Sequence, residues 1–420
     1  MAVGLVVSVR YSVLVGELRT GRRLVALPYV GGSWSIAAGS AGDITVKLPT
    51  RAAEYQRLTP VLTGGLWPSL DVYPSEDTFP RAVVTRWVPG SSPRGDIRGA
   101  TEPTRTFLAV MAGDRVVEAG PIWSRTEGDD GTLELRALGL RSLWDHRLVL
   151  NHLTNMQQAG AIASSSLSYS GLSLGTIAKR LVQEAQAHTG GSLPVVFPAD
   201  ESGTSTRTYP GFELATVGQR LSELSEVDGG PEIEFQPRLT ADRTGVEWVM
   251  RIGTTARPQL WQSGLDWMVD TSVPRGNLGG LSIKEDASAT VNRAFAKGAG
   301  TDEATVISVP STDAARLAAG YPLLESRGSV GGDGGTYQDN VTRHAAGDLA
   351  ANVRPWQTWS LKVPVDARVG AARPGDWWSI RVGEGRVLVE PGMYRSRMQS
   401  MSGSLDSTFA DVTLVPTEVD

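Results

Sequence analysis

The sequence predicts a β-rich α+β protein, with strand-forming stretches at both ends and a mixed helix–strand region between them. Three observations carry this. Val-, Leu- and Ile-rich stretches bounded by turn residues fill the first fifty positions and recur near the C-terminus. Two hairpins stand in "RTFLAVMAGDRVVEAGPIWSRTEGDDGTLELRALGL". Two helix-period stripes occur only in the middle of the chain.

The elements follow in order. "LVVSVRYSVLV" and "RRLVALPYV" read as strands, and Gly31-Gly32 and Ala41-Gly42-Asp43 read as turns. Residues 60–105, rich in Pro, Ser, Gly and Arg, read as a long excursion with one short strand at "PRAVVTRWV". Ala112-Gly113-Asp114 and Glu127 to Gly131 close the two hairpins. Leu133, Leu135 and Ala137 alternate with Glu134 and Arg136, which predicts a strand with one wet face. "LRSLWDHRLV" reads as a short helix and residues 151–172 as a linker. Ser173 is placed to cap a helix whose stripe is Leu174, Ile177, Ala178, Leu181, Val182 and Ala185. Leu214, Val217, Leu221 and Leu224 align as a second helix, stopped by Asp228-Gly229-Gly230-Pro231. "EIEFQPRL" and "VEWVMRIG" form a strand pair. Strands resume near Leu281 with "TVNRAFAKGAG" and "TVISVP", interrupted by helices at "STDAARLAAG" and "VTRHAAGDLAANV". "QTWSLKVPV", "RPGDWWSIRV", "GRVLVEPGMYRSRMQS" and "STFADVTLVPT" are the last strands.

A chain of 420 residues exceeds one ordinary core. The composition shifts divide it at 1–150, 151–280 and 281–420. Hydrophobic content of 40% and charged content of 20% are those of a folded soluble protein. The net charge of −5 argues against a nucleic-acid-binding surface as the main function, because phosphate neutralisation needs a basic face. There is no cysteine, which excludes disulfides, zinc–thiolate sites and a thiol nucleophile. Lysine occurs only at Lys47, Lys179, Lys284, Lys297 and Lys362, an arginine bias that suggests a GC-rich genome. The apolar N-terminus lacks a basic leader and is interrupted by Arg10, so it reads as strand and not as a signal peptide. No apolar run is long enough to span a membrane, and the chain is expected to fold in a cytoplasm.

No catalytic, metal or cofactor motif emerges. His146, His152, His188 and His344 have no metal-ligand spacing. No serine stands in a nucleophile elbow. The loop "GSVGGDGGTYQDN" lacks the lysine of a phosphate loop and the acidic spacing of a calcium loop. Two carboxylates converging in space, as in a glycosidase, remain open. The twelve tryptophans are the more informative feature. In "RPGDWWSIRV", strand alternation puts Trp378, Ile380 and Val382 on one face and Trp377, Ser379 and Arg381 on the other. Trp and Arg are enriched at interfaces, so the interface candidates are Trp377, Arg381, Trp356, Trp359, Trp67 and Trp87. Packing within the chain and a glycan-binding platform are the alternatives.

The segment at residues 107–149 resembles the N-terminal part of tail-hub, or minor tail, proteins of long-tailed phages. Glu118 to Arg125 matches their "AGPIxxR" strand, and Leu143 to Arg147 matches their "L-W/Y-x-x-R" stretch. "ATVNRAFAKGAG" and "RPGDWWSIRV" are similar to later strands of the same family. The resemblance implies two β-barrel-like hub domains separated by an α+β insertion, as in the central hub of phage baseplates. It further implies a homotrimeric ring that closes a siphophage tail tube, matches six-fold to three-fold symmetry and mounts tip or receptor-binding proteins. The implied partners are the distal tail protein ring and the tape measure protein, with DNA passing through the channel without specific binding. The virion tail tip is the expected location, after assembly in the host cytoplasm. A receptor- or glycan-binding tail protein and a cell-wall hydrolase are the rival readings.

Overall fold

A computed structural model describes residues 11–50, 93–227, 229–272, 279–330, 338–365 and 368–416. The chain parts into two compact units. One comprises Met1–Gly280 with Leu361–Asp420, and the other Leu281–Ser360. The composition-based division placed boundaries after residues 150 and 280. The units part instead after 280 and 360, because residues 361–420 return to the sheet begun at the N-terminus.

The first unit is built on strands β1 (Tyr11–Glu17), β2 (Arg23–Leu27), β3 (Gly31–Ala37) and β4 (Asp43–Pro49). Helix α1 (Pro93–Ala100) precedes β5 (Thr106–Ala112), β6 (Arg115–Glu127) and β7 (Thr132–Leu138). A 3-10 turn spans Leu140–His146. Then come α2 (Ala159–Ser164), β8 (Ser166–Leu172), α3 (Leu174–Ala187), β9 (Val195–Val196), β10 (Ser205–Pro210), α4 (Val217–Glu226), β11 (Ile233–Leu239), β12 (Val246–Ile252) and β13 (Trp267–Asp270). In the second unit, β14 (Gly279–Asp286) and β15 (Arg293–Lys297) are followed by β16 (Ser311–Thr312), α5 (Ala314–Ala318), β17 (Glu325–Ser329) and α6 (Gln338–Asn352). Strand β18 (Trp356–Pro364) leads back to β19 (Trp377–Val382), β20 (Gly392–Ser404) and β21 (Phe409–Pro416).

In the first unit one large sheet runs β18-β21-β20-β3-β4-β7-β6-β5-β1-β2. Strand β20 joins the two ends of the sequence by pairing antiparallel with both β21 and β3. Strand β6 is long because it serves two partners. Its first half pairs with β5 and its second with β7, with a register shift between Ile122 and Ser124. Gly120 sits at that change of partner, where a Cβ would meet the Leu138 carbonyl oxygen at 1.8 Å, so no larger residue fits without moving backbone.

The central helices pack on the same core as the hairpins. Leu14, Phe107, Met111 and Trp144 join Ile177, Leu181, Val217, Leu221, Phe235 and Trp248 in one buried cluster. The Trp248 indole N–H donates to the Ala119 carbonyl at 2.9 Å, and its ring meets Phe107 edge-on at 5.5 Å. This continuity is why no unit ends near residue 150.

Several local expectations are corrected. Gly31 and Gly32 lie inside β3, since β4 approaches so closely that a Cβ on Gly32 would meet the Thr45 carbonyl oxygen at 2.3 Å. Residues 151–172 hold α2 and β8, because β10 supplies an antiparallel partner for a polar strand. Leu214 is not on the second helix: it takes φ 46 and is exposed, and Thr216 caps α4 instead. "TVISVP" forms only a single bridge, Lys297 to Ile307. The strand expected from Gly385 starts at Gly392, and Val387 is exposed. The strand expected at "PRAVVTRWV" lies outside the described residues.

Candidate functional site

Arg373, Pro374, Gly375 and Asp376 close a type II turn. Pro374 pre-sets the first central residue, Gly375 supplies φ +93 at the second, and the Asp376 N–H donates to the Arg373 carbonyl at 3.0 Å. The turn is docked by its backbone. The Gly375 N–H donates to the Met398 carbonyl at 2.8 Å, and the Met398 N–H donates to the Asp376 carbonyl at 2.9 Å.

Arg373 does not face solvent. Its two terminal nitrogens donate to the carbonyls of Val116 and Val117 at 2.8 Å each, tying the C-terminal turn to β6. Asp376 is also buried, and accepts from the Arg373 backbone N–H at 2.9 Å and the Trp267 indole N–H at 3.2 Å. Beside this latch Glu118 is buried in a space kept open by Gly42 and Gly139. Burial pushes its carboxyl up to about 8, against the opposing pull of the Arg373 charge and the Ala119 N–H. Burial also raises Asp376 and lowers Arg373.

Beyond the turn, the alternation is as read from the sequence. Trp378, Ile380 and Val382 are buried, and Trp378 packs against Trp267 with ring centroids 6.2 Å apart. Trp377 lies on the other face, partly covered. The Arg395 guanidinium stands 4.3 Å from its ring centroid. Asp266 holds Arg395 in place at 2.8 and 3.2 Å and accepts from the Ser379 hydroxyl at 3.1 Å. The Arg395 bonds hold Asp266 below its ordinary range. The Gln262 amide pairs with the Trp377 backbone as an extra strand would, accepting from its N–H at 2.8 Å and donating to its carbonyl at 3.0 Å.

The other candidates separate. Arg381 and Trp356 are exposed. Trp359 is fully buried, a correction to its reading as a contact residue, because its alternate position on β18 turns it inward. Trp67 and Trp87 lie outside the described residues. Reasoning from the sequence missed Arg373, Asp376 and Glu118 as the buried centre of this region. The only local signal was charge adjoining a turn, and their partners lie far away in the chain.

Among the described residues, no group of three or more His, Asp or Glu side chains is arranged to hold a metal ion. His146 stacks on Trp123 at 4.6 Å. Also among the described residues, no helix is long and apolar enough to cross a membrane.

No protein-family model and no curated protein sequence matches the chain. Solved structures do. The 43 kDa tail protein of prophage MuSo2 from Shewanella oneidensis aligns over 96% of both chains, with TM-score 0.53 and 9% identity. The tail protein from Neisseria meningitidis MC58 aligns over 97% of both, with TM-score 0.52 and 13% identity. At these identities the likeness is one of fold, and it extends from end to end: this chain has the fold of two phage tail proteins.

Proposed function

We propose that the protein is a structural component of a phage tail tip or baseplate, a hub that assembles as a homotrimeric ring. The observation that carries this reading is the end-to-end fold match to two tail proteins, over 96% and 97% of the chain. The sequence resemblance at residues 107–149 points the same way, and Glu118 and Trp144 of that segment are buried. In this reading the two ends of the chain, joined through β3 and β20, supply two barrel-like hub parts. Three chains then present six such parts to a six-fold siphophage tail tube. The distal tail protein ring, the tape measure protein and tip or receptor-binding proteins are its partners, DNA passes through the channel, and no reaction is catalysed. Trp377, partly covered, Trp356, half-exposed, and Arg381 are the described residues offered for contacts. The mass in solution at micromolar concentration tests the ring. Three chains per particle is expected, and a monomer across the concentration range would count against it. Glycan-array binding that is lost in Trp356→Ala would favour a receptor-binding role instead.

A further inference from the structure

The turn between β5 and β6, strand β11 and the loop leading to the tryptophan turn enclose a cleft of about 340 Å³ in the first unit. Four arginines line it, Arg115, Arg238, Arg243 and Arg373, with Asp114 as the facing carboxylate. Their charges are unevenly answered. Arg238 is paired with Glu247 at 2.8 Å, and Arg243 reaches Asp114 only at 3.5 Å, with both side chains exposed. Arg115 is exposed and, among the described residues, has no hydrogen-bonding or ionic partner.

Arg373 is the unusual member. It is only 3% exposed, yet its guanidinium bonds two neutral carbonyls and its Nε has no partner. Glu234 acts on it through space, with Arg251 opposing, but no carboxylate comes within ion-pair distance among the described residues. A buried guanidinium without a close counter-ion is costly, and an anion brought to the cleft would offset that cost. The cleft is many times the ~30 Å³ share of a water molecule, and falls in the size range of ligand pockets. A single inorganic oxyanion would leave most of it empty. Pro237 and Leu239 add apolar wall, suited to the aliphatic stems of glutamate side chains, and Gln236 adds an amide.

We propose that this cleft is a socket for an acidic peptide segment of a partner protein, whose carboxylates are taken by Arg115 and Arg243 above the buried Arg373. The inference does not depend on the tail reading, because the cleft is a property of one protomer.

Calorimetric titration of the full-length protein at low salt tests it, with a capped tetra-glutamate peptide, a capped tetra-glutamine peptide and inorganic phosphate as probes. Saturable binding of tetra-glutamate is expected, with no binding of tetra-glutamine. Arg115→Gln and Arg243→Gln should each weaken binding by about tenfold, the loss of one charge-assisted hydrogen bond. Both side chains are exposed, so the thermal midpoint of the free variants should not move. Absence of tetra-glutamate binding would overturn the proposal, as would equal binding by the double variant. Phosphate binding that is lost in Arg115→Gln without any peptide binding would also overturn it, in favour of a small-anion site.

Discussion

The two units bury apolar surface very differently. The first holds a core in which Trp144, Trp248 and Phe107 pack with aliphatic side chains from both hairpins and both long helices. In the second, Ala296, Val341 and Ala345 form a small buried cluster with Val306 and Val330 packed against it. Its sheet, β16-β15-β17, has α6 across one face. Ile307 and Val309 remain 57% and 66% exposed, and Tyr321, Leu323 and Trp356 are also exposed. Small domains bury a smaller fraction of their surface and are marginal alone. The second unit therefore has the smaller stabilising core of its own.

Substitutions in each unit test the contrast. The largest effect is expected from Trp378→Ala. It removes a fully buried ring from the large sheet and should lower global stability by about 3–5 kcal/mol in denaturant unfolding. A change below about 1 kcal/mol would mean that the first unit's interior is not what holds it.

Next is the pH response of the latch. The folded chain holds Glu118 at about 8, above its ordinary 4.5, so the native state keeps a proton that the unfolded chain releases. The associated stability is fully present below pH ~4.5. It declines as pH rises and is lost on passing about 8, a total of up to a few kcal/mol. Glu118→Gln should flatten this slope in urea unfolding measured from pH 5 to 9. An unchanged slope would remove Glu118 from the account.

Val341→Ala should cost about 2 kcal/mol, from the lost methyl groups. Its signature is local. Amide hydrogen exchange should speed up in β15 and α6, while β5 and β6 stay protected. Equal acceleration in both units would break the distinction between them. The smallest effect is expected for Ser173→Ala. It removes the hydroxyl that accepts the Thr176 N–H at 3.1 Å and should cost about 1 kcal/mol of α3 stability.

The parts legible in the sequence are those governed by neighbours along the chain. The hairpins at Gly113 and Gly131, the Ser173 cap, the β11–β12 pair and the inward turn of Trp378 all follow from period and turn chemistry. What was hidden depends on distant partners. Nothing beside Arg373 in the chain marks it as buried, because its partners are the distant carbonyls of Val116 and Val117. Gly31-Gly32 reads as a turn until β4 crowds it, and residues 151–172 read as linker until β10 arrives. Trp359 shares a face of β18 with Leu361 and Val363, so alternation along the strand accounts for its burial. The Arg115–Arg373 cleft is invisible locally, since its walls come from three separate stretches of chain.

The most direct test of the hub reading is negative-stain imaging of the purified protein at micromolar concentration. Three-fold projections with a central opening are expected. Uniform compact single-chain particles, unchanged as concentration rises, would contradict it.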